Sequence, residues 1–361
     1  MASSKRSVEF FQTSEGAKIF QIPLNAFPGF WDYAYLVLID DYKVLIDTGS
    51  NWGTSNQGLE EGFESISESI EEQINLADPS HIFITHGHID HFGGLAYIRQ
   101  HSTAQIGVHE LDRRILSNYE ERLLVAAQRL MEFLRESGVP AEERNQIYDY
   151  YMFPKSLFSS VDVDFTYQAV DMQVGPFRFL HTPGHGAGAV VIRLHDILFS
   201  GDHILSGISP HQAPERLTLN TGLSHYLESL EKVKTWASDV KLVLGGHKNP
   251  LTDLGKRVDE IRALHFHRLE EILQLLETPN TVSEISKNLF GKAEGYNTLL
   301  AIEESGAHVE YLYQYGYLSI YNLEELNQES RPAVIKYCRV NDALEMLKTL
   351  EKKGEKGYVL I

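Results

Sequence analysis

Seven side chains of metal-ligand type, five histidines and two aspartates, occur in one order along this chain. They are His86, His88, Asp90, His91, His185, Asp202 and His247. Imidazole nitrogens and carboxylate oxygens are the ligands that zinc, iron and manganese take in proteins. Seven such side chains suffice for two divalent ions, with one carboxylate left to bridge them. The sequence therefore predicts a binuclear metal centre.

Apolar segments of strand type lead into these ligands. Such segments occupy residues 81–85, 194–200 and 241–244. A strand that ends at a ligand holds that ligand on a rigid element, so the pattern predicts one site built at strand ends. Asp90 and His91 are consecutive and cannot face one way in a regular strand or helix, so we expect a loop there.

The segment His86-x-His88-x-Asp90-His91 resembles the signature of the metallo-β-lactamase-fold hydrolases. The resemblance includes Leu45-Ile46-Asp47-Thr48-Gly49, whose aspartate is expected to orient a ligand imidazole or the following loop, and it extends over about residues 15–252. It implies the α/β class and, within that class, an αββα sandwich. It also implies two divalent metal ions as cofactors, with zinc as the first choice and iron or manganese as alternatives.

The resemblance further assigns a role to each ligand. His86, His88 and His185 would hold the first ion, Asp90, His91 and His247 would hold the second, and Asp202 would bridge them. A hydroxide between the ions would be the nucleophile, and Asp90 would orient it as a catalytic residue. His203, next to Asp202, is the second catalytic candidate because an imidazole can act as a general acid near neutral pH. His211 is a further candidate for the same role.

Two domains are predicted from the length and from a change in pattern near residue 252. Residues 1–252 would form the catalytic domain, with a helical insertion at about 109–160. Apolar residues at helical spacing within the insertion predict either a lid over the metal cleft or a peripheral packing helix. Residues 253–361 would form a mostly helical domain, which resembles the winged-helix-like tail of the β-lactamase-like protein 2 endoribonucleases.

Composition narrows the partners and the compartment. The net charge is −18, divided into −13 over residues 1–251 and −5 over residues 252–361, and this disfavours nucleic acid as a partner. Cys338 is the only cysteine, which fits a reducing compartment. No apolar run of about 18 residues and no signal-type start is present, so we expect a cytoplasmic protein without membrane contact.

The leaving group separates the hypotheses about the reaction. A thiolate or an activated alkoxide departs without a protonating acid, whereas an amine needs one. The sequence thus favours a small-molecule thioester or other activated ester with an apolar acyl part, as in the similar glyoxalase II enzymes. The aromatic loop at residues 27–31 would either contact the acyl part or cover the edge of the core. The alternatives are an endoribonuclease or phosphodiesterase of the same fold, a lactonase, or a metal-containing ligand-binding protein. A homodimer through the C-terminal region is a further expectation.

Overall fold

A seven-stranded mixed sheet forms the first layer of strands in this computed structural model, which describes residues 6–327 and 333–353. The strands lie side by side in chain order: β1 (Glu9–Gln12), β2 (Lys18–Phe27), β3 (Phe30–Ile39), β4 (Tyr42–Ile46), β5 (His81–Phe83), β6 (Gln105–Val108) and β7 (Phe165–Thr166). Pairing is antiparallel from β1 to β4 and parallel from β4 to β7. The parallel strands bring their carboxyl ends to one edge of the sheet.

A five-stranded sheet forms the second layer. In spatial order its strands are β12 (Leu242–Gly245), β11 (Ile197–Gly201), β10 (Val190–Leu194), β9 (Phe177–His181) and β8 (Gln173–Val174). The two sheets pack face to face through one cluster of buried apolar side chains. Within it, the ring of Phe83 lies 5.3 Å from Phe177, and the ring of Tyr35 lies 5.2 Å from Phe199. Burial of these side chains is the main stabilising contribution of this core.

Helices join and flank the sheets. They are α1 (Ser55–Ile70), α2 (Ile89–Phe92), α3 (Leu95–Ile98), α4 (Glu110–Ser117), α5 (Tyr119–Glu136), α6 (Ala141–Lys155), α7 (Leu223–Trp236), α8 (Leu254–Leu275), α9 (Val282–Phe290), α10 (Tyr296–Gln314), α11 (Leu323–Leu326) and α12 (Ala343–Lys353), with a 3-10 turn at Tyr167–Val170. Helix α1 packs on the first sheet at Gly62, which has no side chain and so admits Ile22 of β2. The α/β class and the αββα sandwich are confirmed. No helix of the described part of the chain is long and apolar enough to cross a membrane.

Two compact units divide the chain. The first contains the described residues up to Arg122, together with Phe158–Pro210 and Ser229–Val258. The second contains Leu123–Leu157, His211–Glu228 and the described residues from Asp259 onwards. Most of the predicted insertion thus belongs to the second unit. The predicted boundary at residues 252 and 253 and the predicted lid over the cleft stay predictions.

Packing explains why the insertion helices group with the C-terminal helices. A Cβ atom on Gly306 of α10 would lie 2.5 Å from the ring of Phe133, so the absent side chain lets α5 approach closely. The backbone N–H of Ser283 donates to the carbonyl of Ser137 at 2.9 Å. These contacts join segments that are distant in sequence, and local periodicity alone does not predict them.

The C-terminal part has the expected order of elements. Helices α8, α9 and α10 precede an antiparallel pair of strands, β13 (Leu318–Ile320) and β14 (Tyr337–Arg339), which is a winged-helix-like arrangement. Helix α9 begins with a capping box in which Thr281 accepts from the N–H of Glu284 and the glutamate accepts from the N–H of Thr281. This extra C-terminal part follows the sandwich fold, as the sequence predicted.

Strand β2 contains Pro23 and continues to Phe27. Pro23 pairs with Tyr33 on one side, and on the other side β1 pairs only with residues 18–21. The missing N–H of the proline is tolerated because, in the described part of the chain, no strand adjoins that edge of β2 at Pro23. The predicted aromatic loop at residues 27–31 is therefore a tight turn between β2 and β3.

Candidate metal centre

Four strand ends and one short helix carry the seven predicted ligands. His86 and His88 follow β5, Asp90 and His91 lie in α2, His185 lies between β9 and β10, Asp202 follows β11, and His247 follows β12. The loop predicted at Asp90 and His91 is wrong, because both lie in this one-turn helix and still reach the same ligand set. Strands β11 and β12 are parallel, with Gly201 opposite Gly245, so their ligands emerge at one edge. The structure brings all seven side chains together.

The first ligand set consists of His86, His88 and His185, whose ring nitrogens lie within 4.8 Å of one another. His86 Nε2 lies 3.0 Å from His88 Nδ1, and the rings of His88 and His185 have centroids 4.5 Å apart. Two nitrogens that each bind zinc at about 2.0–2.1 Å in a tetrahedral site are roughly 3.3 Å apart. The observed spacing is close to what one tetrahedral ion requires.

The second ligand set consists of Asp90, His91 and His247. Asp90 Oδ2 lies 3.4 Å from His247 Nε2 and 3.7 Å from His91 Nε2. Asp202 lies between the two sets, because its Oδ1 is 3.5 Å from His91 Nε2 while its Oδ2 is 3.8 Å from His185 Nε2. This is the position that a bridging carboxylate needs.

The hydrogen bonds of the histidines orient their lone pairs into the centre. His91 Nδ1 donates to Asp47 Oδ2 at 2.9 Å, and His247 Nδ1 donates to the carbonyl of Trp31 at 2.7 Å. In the neutral form of both rings, Nε2 therefore carries the lone pair. His247 Nε2 lies 3.1 Å from Asp202 Oδ2, whereas no described residue provides a hydrogen-bond partner for His91 Nε2 or for Asp202 Oδ1. Buried acceptors that face one another are satisfied by a cation, so the residues fit divalent metal ions.

Electrostatics also favours positive charge in this pocket. Burial lowers the pKa of His91, but the charges of Asp202, Asp90 and Asp47 outweigh burial and raise it well above the usual value. Burial would raise the pKa of Asp202, yet the neighbouring His247 and His91 hold it well below its usual range. The cluster thus attracts protons or, in their place, metal ions.

Asp47 holds the second ligand set in place, as the sequence predicted for it. Its Oδ1 accepts from the backbone N–H of Thr85 at 2.8 Å, and its Oδ2 accepts from the Thr85 hydroxyl at 2.8 Å and from His91. Asp47 has a φ of 57°, in the left-handed region, at the exit of β4. The costly backbone conformation turns the carboxylate toward the ligands.

An aromatic surface adjoins the second ligand set. The ring of Phe30, at the start of β3, lies 4.6 Å from the ring of His247, and 46% of Phe30 is exposed. Phe27 lies 6.4 Å from Phe30 and 6.4 Å from Trp52, measured between ring centroids. These three rings form the aromatic wall of the centre. Phe27 and Phe30 belong to the aromatic loop of the sequence analysis, and its contact with an acyl part stays a prediction.

The two histidines proposed as acids lie in different surroundings. His203 is buried, and burial lowers its pKa to about 3, so a protonated imidazolium is disfavoured at neutral pH. Its catalytic role stays a prediction. His211 belongs to the second unit, where its Nε2 donates to Glu303 at 2.9 Å.

Sequence reasoning missed two buried carboxylates of the first unit. Asp32 is 1% exposed, and its Oδ1 has no hydrogen-bond partner in the part of the chain that is described. Burial raises the pKa of Asp32, and the nearby charge of Asp90 adds to this effect. The sequence did contain a signal for Asp32, because it is a charged residue within the otherwise apolar strand β3. Asp112, on α4, hydrogen-bonds the ligand loops and has no comparable sequence signal.

A second group of buried ligand-type side chains, His265, Glu304 and His308, lies in the second unit. Its members bond to one another or to neighbours: His308 Nδ1 donates to the Glu304 carbonyl at 2.7 Å, and His265 Nδ1 lies 3.0 Å from His308 Nε2. Arg268 donates to the Glu304 carboxylate at 2.5 Å. The arginine already neutralises the carboxylate, so this group is a hydrogen-bonded network.

The comparisons agree with this centre. The sequence profile described as "Metallo-beta-lactamase superfamily" matches residues 32–247, which span all seven ligands and more than half of the chain. The chain therefore belongs to the metallo-β-lactamase superfamily. Together with the His/Asp clusters, membership implies a metal-dependent hydrolase that binds divalent metal.

Individual relatives are distant. Over 232 residues the chain is 24% identical to the "Probable metallo-hydrolase YqgX" of Bacillus subtilis (strain 168), covering 63% of this chain and 89% of that protein. The structure of the metallo-beta-lactamase family protein TTHA1429 from Thermus thermophilus superposes with a TM-score of 0.69 at 23% identity, over 89% of this chain and 98% of that one. A beta-lactamase domain protein from Burkholderia ambifaria gives a TM-score of 0.66 at 20% identity, over 94% and 96%. These likenesses show the fold.

Proposed function

We propose that this metallohydrolase holds two divalent metal ions and acts on thioesters or other activated esters. The first ligand set would hold one ion and the second ligand set the other, with Asp202 between them. When bound, two such ions supply a hydroxide nucleophile and polarise the scissile carbonyl. Zinc suits the histidine-rich sets best, and iron or manganese would also be accepted.

The chain's own residues would orient the reacting groups. The side chain of Asp90 is 14% exposed and so faces the open side of the centre. Its carboxylate would accept a hydrogen bond from the attacking water and fix the direction of attack. Asp47 and the Trp31 carbonyl would keep the proton of each ligand imidazole on Nδ1, which leaves Nε2 available for the ion.

The aromatic wall is the observation that favours an acyl substrate. A carbonyl placed at the ions would bring its acyl part next to Phe30, which lies 4.6 Å from His247 and remains 46% exposed. Covering the exposed part of one phenylalanine is worth about 1 kcal/mol, or roughly fivefold in kcat/KM. An apolar chain or ring gains this energy, whereas a phosphodiester backbone does not.

Charge supports the same choice. Residues 1–251 carry 19 lysines and arginines against 32 aspartates and glutamates, a net charge of −13. Proteins that bind phosphate backbones use lysine and arginine for this contact. The negative field of this protein would repel a phosphate backbone at long range. A thiolate leaving group also needs no protonating acid, which matches the buried His203 with its lowered pKa.

A panel of substrates tests the proposal. The metal-loaded protein would be assayed against thioesters that include S-acylglutathiones of increasing acyl length, against lactones and against single-stranded RNA. We expect thioester turnover that rises with acyl length, and its loss in His86→Ala. In Phe30→Ala the dependence on acyl length should flatten, while Phe10→Ala, which removes a phenylalanine that is 54% exposed on β1, should behave as wild type.

An endoribonuclease is the second candidate, favoured by the winged-helix-like arrangement of α8, α9, α10, β13 and β14. Such an arrangement is a common nucleic-acid-binding form. RNA cleavage without thioester turnover would contradict the first proposal and support this one. Turnover of lactones alone would retain the ester class and exclude the thioester.

A further inference from the structure

Asp112, on helix α4, contacts two loops that carry metal ligands. Its Oδ2 accepts a hydrogen bond from the backbone N–H of Gly87 at 2.7 Å, and its Oδ1 accepts one from the backbone N–H of Gly188 at 2.8 Å. Gly87 separates the two histidines of the first loop, and Gly188 follows His185 by three residues. One carboxylate therefore joins the two chain segments that supply the first ligand set.

The contact is close and enclosed. Asp112 is 1% exposed. A Cβ atom on Gly188 would lie 2.5 Å from Asp112 Cγ, and a Cβ atom on Gly87 would lie 3.3 Å from the same atom. The second loop reaches the carboxylate only because Gly188 has no side chain, since 2.5 Å is far inside van der Waals contact.

The start of α4 is itself fixed against the second loop. His109 caps the helix, because its Nδ1 accepts from the N–H of Leu111 at 3.2 Å. The ring of His109 stacks on that of His181 with centroids 3.8 Å apart, and His181 Nε2 donates to the Ala187 carbonyl at 2.9 Å. The backbone that presents Asp112 thus has little freedom to move relative to the ligand loops.

We propose that Asp112 is a positioning residue that sets the spacing of the two loops and thereby the metal affinity of the first ligand set. The inference rests on the proposed function for the identity of that set. Both partners of Asp112 are N–H donors, so both of its oxygens must accept. An asparagine would keep the shape but turn an N–H toward one of the glycine amides.

The charge state agrees with this geometry. Burial raises the pKa of Asp112 to about 6, although the hydrogen bonds from Gly87 and Gly188 lower it. The carboxylate is therefore mostly ionised at neutral pH and accepts from both amides.

Two variants and one matched control test the role of Asp112. Asp112→Asn removes one acceptor, and Gly188→Ala forces the carboxylate away. Glu110→Gln changes an exposed acid on the same helix. Zinc would be titrated against a competing chelator. In both test variants we expect the affinity of one of the two sites to fall about 10–100-fold while the other keeps its affinity. The control should match the wild type.

Hydrogen exchange of the metal-free protein supplies a readout that needs no metal. Peptides that cover residues 86–88 and 185–188 should exchange faster in Asp112→Asn, while peptides elsewhere stay unchanged. Unchanged exchange, exchange that rises over the whole chain, or an equal loss of affinity at both sites would overturn the inference. A wild-type protein that binds none of zinc, iron and manganese would refute the proposed function, and the exchange comparison would still decide whether Asp112 holds the loops.

Discussion

Gly246 is the residue at which the smallest chemical change should disturb the centre most. A Cβ atom at this position would lie 2.5 Å from His91 Cε1 and still closer to Asp202 Oδ1. The backbone cannot move away, because the N–H of Gly246 donates to Gly201 and its carbonyl accepts from Tyr33, both at 2.8 Å. In Gly246→Ala the two ligand side chains must therefore move.

The size of the effect follows from these distances. Carbon atoms in contact are about 3.5–4.0 Å apart, so His91 must shift by roughly 1 Å. Metal–ligand distances hold within about 0.2 Å, so such a shift removes the ligand from its ion. We expect the affinity of the second ligand set to fall at least about 100-fold, close to 2.7 kcal/mol. Crowding would also lower the stability of the metal-free protein by about 1–3 kcal/mol.

Elemental analysis after dialysis and a zinc titration against a chelator would measure the loss. Gly255→Ala is the matched control: its Cβ would meet nothing closer than 3.9 Å, from Asp253 and Lys234. The control should keep wild-type metal content. Wild-type metal content and affinity in Gly246→Ala would refute the argument that His91 and Asp202 converge on a metal position.

Two further substitutions test single interactions. Asp47→Asn removes the acceptor that fixes the proton of His91 on Nδ1, so metal affinity should fall about 10–100-fold, and retained affinity in a chelator titration would count against this role. Burial lowers the pKa of His211, but its hydrogen bonds to Glu303 and Glu304 outweigh burial and raise the pKa to about 9. The stability from this raised pKa is fully present below the unfolded value of about 6.5 and is lost as pH rises through about 9. The free energy of unfolding of the wild type should therefore fall by about 3 kcal/mol relative to that of His211→Gln between about pH 6.5 and pH 10. Urea unfolding at several pH values would measure this change. A difference between the two proteins that stays constant with pH would exclude the raised pKa of His211.

The metal ligands could be predicted from the sequence for two reasons. Histidine and aspartate are residue types that bind metals, and several of them stand directly after apolar segments that form strands. His86, Asp202 and His247 each follow an apolar run, and β11 and β12 end within one residue of the predicted segments, at Gly201 and Gly245. The hairpin of β3 and β4, which turns at Asp40 and Asp41, is likewise specified by its local sequence. Alternating apolar residues and turn residues specify these elements locally, so no tertiary information was needed.

The grouping of the insertion with the C-terminal helices could not be predicted in this way. Residues 123–157 show a helical period, which states that one face is buried but not what buries it. The partner is chosen by local shape, such as the ring of Phe133 against Gly306. The spacing of apolar residues along the sequence does not depend on which distant segment has the complementary shape, so it cannot identify the packing partner.

Asp112 shows the same limit at the site itself. Its partners are backbone amides 25 and 76 residues away, and a backbone amide carries no residue identity that a sequence could display. Only the two glycines hint at close approach, and glycine is common in loops for other reasons. Residues that support a site through main-chain contacts are therefore found from the fold and not from a motif.

The buried carboxylates also explain what metal binding would contribute to stability. In the metal-free chain, burial raises the pKa values of Asp32 and Asp112, so holding either ionised at neutral pH opposes folding. Asp90 and Asp202 are held ionised by His91 and His247, which must themselves gain charge against burial. Divalent ions that bind only the folded centre would offset these costs, and they would stabilise the fold by about 4 kcal/mol at 1,000 times their Kd. Such a centre lowers the stability of the metal-free fold and raises its affinity for metal ions. Metal binding should therefore protect the loops around the centre from hydrogen exchange more strongly than any other part of the first unit.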